Sequence, residues 1–412
     1  MLPAGAPLSA WLSRLETLSP VEIDLGLERV RAVLDRLDVH TPEHVLLIAG
    51  TNGKGSSVAM ADALLRAAGL RVGVYTSPHI VAYNERIVVD GEQASDDEII
   101  AAFERIEAVR GDVRLTYFEY GTLAALEIFT GAELDVWILE VGMGGRLDAT
   151  NVIDPTAALI TNVALDHCAW LGDDVESIAA EKAGVMRPGI PVVYGGENVP
   201  TAIRRQADAV GARLLLRDRE FSLAGIPQPG LSGPFQIANA AAVLALLDAA
   251  GLQQATDPAL VAAVLPEVRL AGRGQRVAAG GADWLLDVAH NPAAAQQLAA
   301  TLAEEPHDGA TAAVVALLDD KDVEGIASPL NEHVDLWIAT TADSPRAIPA
   351  DELARRIANV TDRPCLVAAL LDDALREAQD SVAAGDRILV TGSFYIVGPV
   401  LRALGLYSRP EP

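Results

Sequence analysis

Three lysines stand out in this chain because each sits in a segment suited to chemistry. They are Lys54 in Gly50-Thr51-Asn52-Gly53-Lys54-Gly55-Ser56, Lys182 in Glu181-Lys182-Ala183-Gly184, and Lys321 in Asp319-Asp320-Lys321-Asp322. The other 28 of the 31 basic residues are arginine. A lysine kept against that background points to work a guanidinium cannot do: a compact point charge on a phosphate, or an amine that loses its proton and reacts. A coding bias that leaves a few lysines anywhere is the competing reading, and three motif-like settings weigh against it.

The loop Gly50 to Ser57 follows the apolar run Val45 to Ala49 and opens a helical pattern. Glycines there let backbone N–H groups turn toward an anion, and a helix N-terminus adds a favourable dipole. Lys54 would reach the outer phosphates of a nucleotide, and Ser56 or Ser57 a phosphate or magnesium. The loop departs from the strict P-loop, since Ile48 takes the first glycine's place and Gly55 separates Lys54 from Ser56. A tight structural turn is the alternative.

Glu140 ends the run Val136 to Leu139 and precedes Gly142, Gly144 and Gly145. A carboxylate at such a tip is a hard oxygen ligand for magnesium, unless it is only a solvated loop residue. Arg146 and Asp148 would add polar specificity. His167 closes the next segment and shares an edge with Glu140 if the two strands are neighbours. Lys182 follows fifteen residues later; its neutral amine would take up carbon dioxide as a carbamate, against the plainer reading of a salt bridge to Glu181 or Glu176. Ser77, in Ser77-Pro78-His79, places a hydroxyl near the same edge. Asp287 and His290 stand between a strand pattern and a helix in which Asn291 is the expected cap.

Positioning these groups takes two arrays of alternating strands and helices, hence mostly parallel sheets. The first array reads as strands at Val45–Ala49, Val72–Tyr75, Val136–Leu139, Ala157–Ile160 and Pro191–Tyr194, with a helix from Ser56 to Ala68. Gly211 to Gly233 reads as irregular with short antiparallel strands, Phe235 to Ala250 as a helix, and Pro266 to Gly274 as a linker. The second array has strands near Trp284–Leu286, Ala313–Ala316, Leu336–Ala339 and Arg387–Val390, with helices near 292–303, 349–358 and 372–384.

With 412 residues, half of them apolar, the chain is expected to hold more than one packed domain. A net charge of −26 argues against nucleic-acid or anionic-membrane surfaces. Two unpaired cysteines and the lack of a basic, apolar start lead to the expectation of a cytoplasmic protein.

In order and spacing these segments resemble the Mur ligase superfamily, and within it the bacterial dihydrofolate synthase/folylpolyglutamate synthase branch. Tyr117-Phe118-Glu119-Tyr120-Gly121-Thr122, Gly272-Arg273 and Thr391-Gly392-Ser393-Phe394 also carry the likeness. Met143 and Cys168 are small departures inside motifs. The resemblance implies an α/β protein with a P-loop-type ATPase domain (1–270), binding ATP and the pterin substrate. A Rossmann-like domain (271–412) would bind glutamate and close over ATP. It implies ATP on Thr51, Asn52, Gly53, Lys54, Gly55, Ser56, Asn239, Arg273 and Asp287. Magnesium, two ions, would sit on Ser77, Glu140 and His167. Catalysis would fall to Lys54, Lys182 as its carbamate, and His290, with substrate on Asp24, Phe118, Glu119, Arg146 and Asp148.

The implied reaction joins L-glutamate to dihydropteroate and to reduced folates through an acyl phosphate, in a monomer. A folylpolyglutamate synthase without dihydropteroate activity stays open, as does another Mur-type amino-acid ligase. The latter usually carries an extra N-terminal domain, and the glycine loop begins here at residue 50. A GTPase-like switch lacks its Asn-Lys-x-Asp motif.

Overall fold

The computed structural model describes residues 5–18, 24–305 and 307–407. Two compact units emerge from the contacts. The first takes residues up to Ala164, Cys168–Gln228 and Ile237–Val268; the second takes Leu165–His167, Pro229–Gln236 and the chain from Arg269.

The first unit is built on an eight-stranded sheet. Its strands are β1 His44–Ala49, β2 Val72–Tyr75, β3 Ile87–Val89, β4 Glu92–Gln93, β5 Val136–Glu140, β6 Ala157–Ile160, β7 Pro191–Tyr194 and β8 Arg213–Leu216, in the order β4-β3-β2-β5-β1-β6-β7-β8. Across the sheet from β2 to β8 the neighbours run parallel, while β3 pairs antiparallel with both β2 and β4. Helices cover both faces, so β2, β5 and β6 are buried at every position and read as continuous apolar runs. The expected short antiparallel strands after Gly211 are corrected: β8 pairs parallel with β7 and extends the sheet, because the helix Thr201–Val210 carries the chain back across it.

Two helices outside the sequence expectation, Asp96–Arg110 and Tyr117–Thr130, each open on a reciprocal cap. Ser95 pairs with Glu98, and Thr116 with Glu119. Their apolar faces pack with Trp11, Phe103, Tyr120 and Trp137 in the core of this unit.

The second unit has six strands: β9 Gln275–Ala279, β10 Ala282–Leu286, β11 Thr311–Val315, β12 Leu336–Ala339, β13 Cys365–Val367 and β14 Arg387–Thr391, in the order β13-β12-β11-β14-β10-β9. All pairs are parallel except the β9–β10 hairpin. Among the described residues no helix is long and apolar enough to cross a membrane.

Candidate active site

In the first unit the glycine loop leaves the C-terminal end of β1, the central strand, and is stitched to the chain leaving β6. Thr51 N–H donates to the Asn162 carbonyl (3.0 Å), Asn52 N–H to Asn162 Oδ1 (3.0 Å), and Thr161 Oγ1 to the Asn52 carbonyl (2.6 Å). Two glycines are obligatory. Gly50 has φ +147°, and a Cβ there would come within 1.8 Å of Thr161 Oγ1; Gly53 has φ +84°, and its Cβ would meet the Asn239 amide at 2.9 Å. Asn239, from the helix Phe235–Ala249, therefore lies directly on the loop. The helix Lys54–Ala67 starts there, with the hydroxyl of Ser57 buried and without a hydrogen-bond partner.

Both loop-facing lysines converge on one carbonyl. Lys54 Nζ and Lys182 Nζ each donate to the Gly50 oxygen at 3.0 Å, and Lys54 also to that of Thr51 at 3.2 Å. Lys182 is buried on the helix Val175–Ala183. Of its suggested salt-bridge partners, Glu181 binds Arg146 (2.7 Å) and Glu176 accepts the N–H groups of Thr201 and Ala202.

Glu140 is 3% exposed at the tip of β5 and accepts the Ser77 N–H at 3.3 Å, which joins two of the three nominated metal ligands. The condition attached to His167 sharing an edge with Glu140, that their strands be neighbours, is not met: β5 and β6 flank β1 rather than each other. His167 groups with the second unit, in a left-handed backbone conformation (φ +52°). Among the described residues no three His, Cys, Asp or Glu side chains are placed to hold a metal. A cation here would depend on the Glu140 carboxylate with hydroxyl and phosphate oxygens, a donor set that suits a hard divalent ion.

The substrate nominees divide by role. The Phe118 ring is half-buried beside Gly142 and 5.9 Å from the Tyr75 ring, an apolar wall for a flat ligand. Glu119 is held by Arg29 (3.0 Å) and by the Thr116 N–H, and Asp24 pairs with the same arginine at 2.9 Å. The buried Asp148 carboxylate accepts from Met143 N (2.9 Å), Thr150 N and Thr150 Oγ1, so it shapes its own turn. Burial raises its pKa against those hydrogen bonds.

In the second unit, Asp287 accepts the N–H groups of Gly274 and Ala289, both at 2.8 Å. Burial raises its pKa, and the charge of Arg273 opposes that rise. The Arg273 guanidinium lies 5.1 Å over the Phe394 ring. Asn291 caps the helix Pro292–Glu304, as expected, through Ala294 N–H. Its Nδ2 also donates to Asp166 Oδ2 at 2.8 Å.

Asp166 is the hub that sequence reasoning missed. Lys321 Nζ binds it at 3.1 Å, and His290 Nε2 lies 3.8 Å away. Burial opposes its ionisation, but the charges of His167, Lys321 and His290 outweigh burial and hold its carboxyl far below the usual carboxylate range. The one available signal was the rarity of lysine, which marked Lys321 without indicating a partner.

Burial pushes the His290 imidazole down to about 4 from its ordinary 6.5, against the pull of Asp166. A depressed folded-state value means the unfolded chain binds the proton more readily between those limits. The contribution is fully present above pH 6.5 and is lost as pH falls toward 4. His290→Asn should flatten that part of the stability–pH curve, measured by denaturant unfolding. An unchanged slope in the variant would refute the assignment.

Comparison with known families follows the same two units. The Mur ligase middle domain matches residues 48–188, and the Mur ligase glutamate ligase domain matches residues 272–394. The chain is 41% identical to the dihydrofolate synthase/folylpolyglutamate synthase of Escherichia coli (strain K12), over 97% of this chain and 96% of that protein. The structure of E. coli FolC in complex with DHPP and ADP superposes with TM-score 0.92 at 39% identity, covering 98% of this chain and 99% of that one. The bifunctional folylpolyglutamate synthase/dihydrofolate synthase of Yersinia pestis c092, complexed with AMPPNP and Mn ion, does so with TM-score 0.90 at 42% identity, covering 98% and 100%.

Proposed function

Since the chain belongs to the dihydrofolate synthase/folylpolyglutamate synthase family of Mur ligases, we propose that it joins L-glutamate to dihydropteroate and to the γ-carboxylate of reduced folates, converting ATP to ADP and phosphate. The observation that carries this reading is the match across both units to bifunctional enzymes, one of them solved with DHPP and ADP. In this reading the first unit handles ATP and the pterin substrate, and the second handles glutamate. With ATP and reduced folates as substrates, the activity belongs in the cytoplasm.

A carboxylate is a poor electrophile, so ATP first phosphorylates it; the glutamate amine then attacks the acyl phosphate and phosphate departs. Approach of two anions is the obstacle, and compact positive charge offsets it. Lys54, in contact with its own loop carbonyls at 3.0 and 3.2 Å, is released to phosphate when nucleotide fills the loop. A divalent cation, magnesium in this reading, would be held by Ser77 and Glu140 and would neutralise phosphate charge. Lys182 would carry a carbamate, formed when its neutral amine adds to carbon dioxide and releases a proton.

ADP release by the purified protein, with glutamate and either dihydropteroate or tetrahydrofolate, tests the proposal. Glutamate-dependent release with both acceptors is expected. Release with tetrahydrofolate alone would assign the monofunctional alternative, and release with neither would overturn the reading.

A further inference from the structure

Arg86 is a buried cation, 8% exposed, that forms no ion pair among the described residues. Its Nε donates to His79 Nδ1 at 2.9 Å, and its guanidinium lies 5.5 Å over the Tyr83 ring and 5.6 Å over that of Tyr117. Nearby carboxylates are engaged elsewhere. Glu85 accepts the N–H groups of Ile80, Val81 and Ala82, Glu119 holds Arg29, and Asp148 holds its own turn. Ring faces offset part of a guanidinium's lost hydration but supply no anion.

A second orphan lies in the same cluster. The Tyr83 hydroxyl is buried and has no hydrogen-bond partner. It faces the Tyr75 hydroxyl across Gly121, where an added Cβ would come within 2.7 Å of one and 2.9 Å of the other. Tyr75 closes β2, just before Ser77, whose N–H binds Glu140, and its ring packs on Phe118. Tyr75 thus links the cluster around Arg86 to the Phe118 ring and, along the chain, to the segment that carries Ser77.

Resting on the function proposed above, we propose that Arg86, seated by His79, Tyr83 and Tyr117, receives a carboxylate of the pterin-bearing acceptor and so helps select it. Two acceptor groups share that chemistry. One is the carboxylate to be activated, present in every acceptor. The other is the α-carboxylate of an already glutamylated folate, which dihydropteroate lacks.

The test uses the full chain with Arg86→Gln, which removes the charge, and Arg86→Lys, which keeps it. Arg86→Gln should raise the acceptor KM by about tenfold or more, the loss of a charge-assisted bond, with KM for ATP and glutamate within about twofold. Arg86→Lys should recover part of the loss. A rise confined to tetrahydrofolate assigns the α-carboxylate; a rise with dihydropteroate as well assigns the group being activated. An unchanged acceptor KM, or KM values rising together for all three substrates, overturns the proposal. Where turnover is too slow, acceptor binding followed by pterin fluorescence separates the same outcomes. Arg86-dependent binding in a protein that releases no ADP would sink the proposed reaction and leave this site standing.

Discussion

Lys182→Arg should lower ADP-forming turnover by about a hundredfold to a thousandfold, the scale expected when one preorganised charge is removed from a phosphoryl-transfer site. The variant keeps a positive charge near the Gly50 carbonyl, where Lys54 Nζ also donates at 3.0 Å. Two ammonium groups on one acceptor repel each other. A carbamate on Lys182 turns that repulsion into attraction and supplies an anion for a divalent ion. A guanidinium cannot add to carbon dioxide under these conditions. Circular dichroism and the unfolding midpoint should stay near wild type. The native protein prepared without bicarbonate should also lose activity and regain it on adding bicarbonate, with one carbon dioxide's mass on the peptide carrying Lys182. Near-normal turnover in Lys182→Arg would defeat the carbamate.

What could be read in the chain before folding follows from where its apolar residues sit. Val72–Tyr75, Ala157–Ile160 and Pro191–Tyr194 were expected at their observed limits because parallel strands covered on both faces are unbroken apolar runs. β9 shows no such run: Gln275–Ala279 alternates between half-buried and exposed on the edge of its sheet. β13, only three residues long, carries too little pattern to stand out from a loop. The helices Asp96–Arg110 and Tyr117–Thr130 have their start signals in the chain, Ser95 with Glu98 and Thr116 with Glu119, but no strong apolar period beside them. Residues whose local geometry depends on their own loop, Gly53 in its turn and Asn291 as a helix cap, were legible. Asp166 was not, since its lysine partner lies 155 positions away and no local spacing encodes that meeting.

Asp166→Ala should destabilise the second unit by about 3 kcal/mol, the lower end of the cost of removing one partner from a buried ion pair. The Asp166 and Lys321 side chains are 9% and 8% exposed, so little water can replace the lost carboxylate. Lys321 retains Asp320 at 3.1 Å, but that side chain is 39% exposed and compensates weakly, which is why the lower end applies. The Asn291 amide loses its acceptor as well, so the start of the helix beside His290 loosens with it. Lys321→Met alone should cost a similar amount, because it strands the carboxylate instead. The double variant Asp166→Ala/Lys321→Met should recover most of the loss, since neither charge is then left buried and unpaired. Denaturant midpoints for the four proteins measure this. If the two single losses simply add, Asp166 and Lys321 are not an energetic pair, and the hub assigned to Asp166 falls.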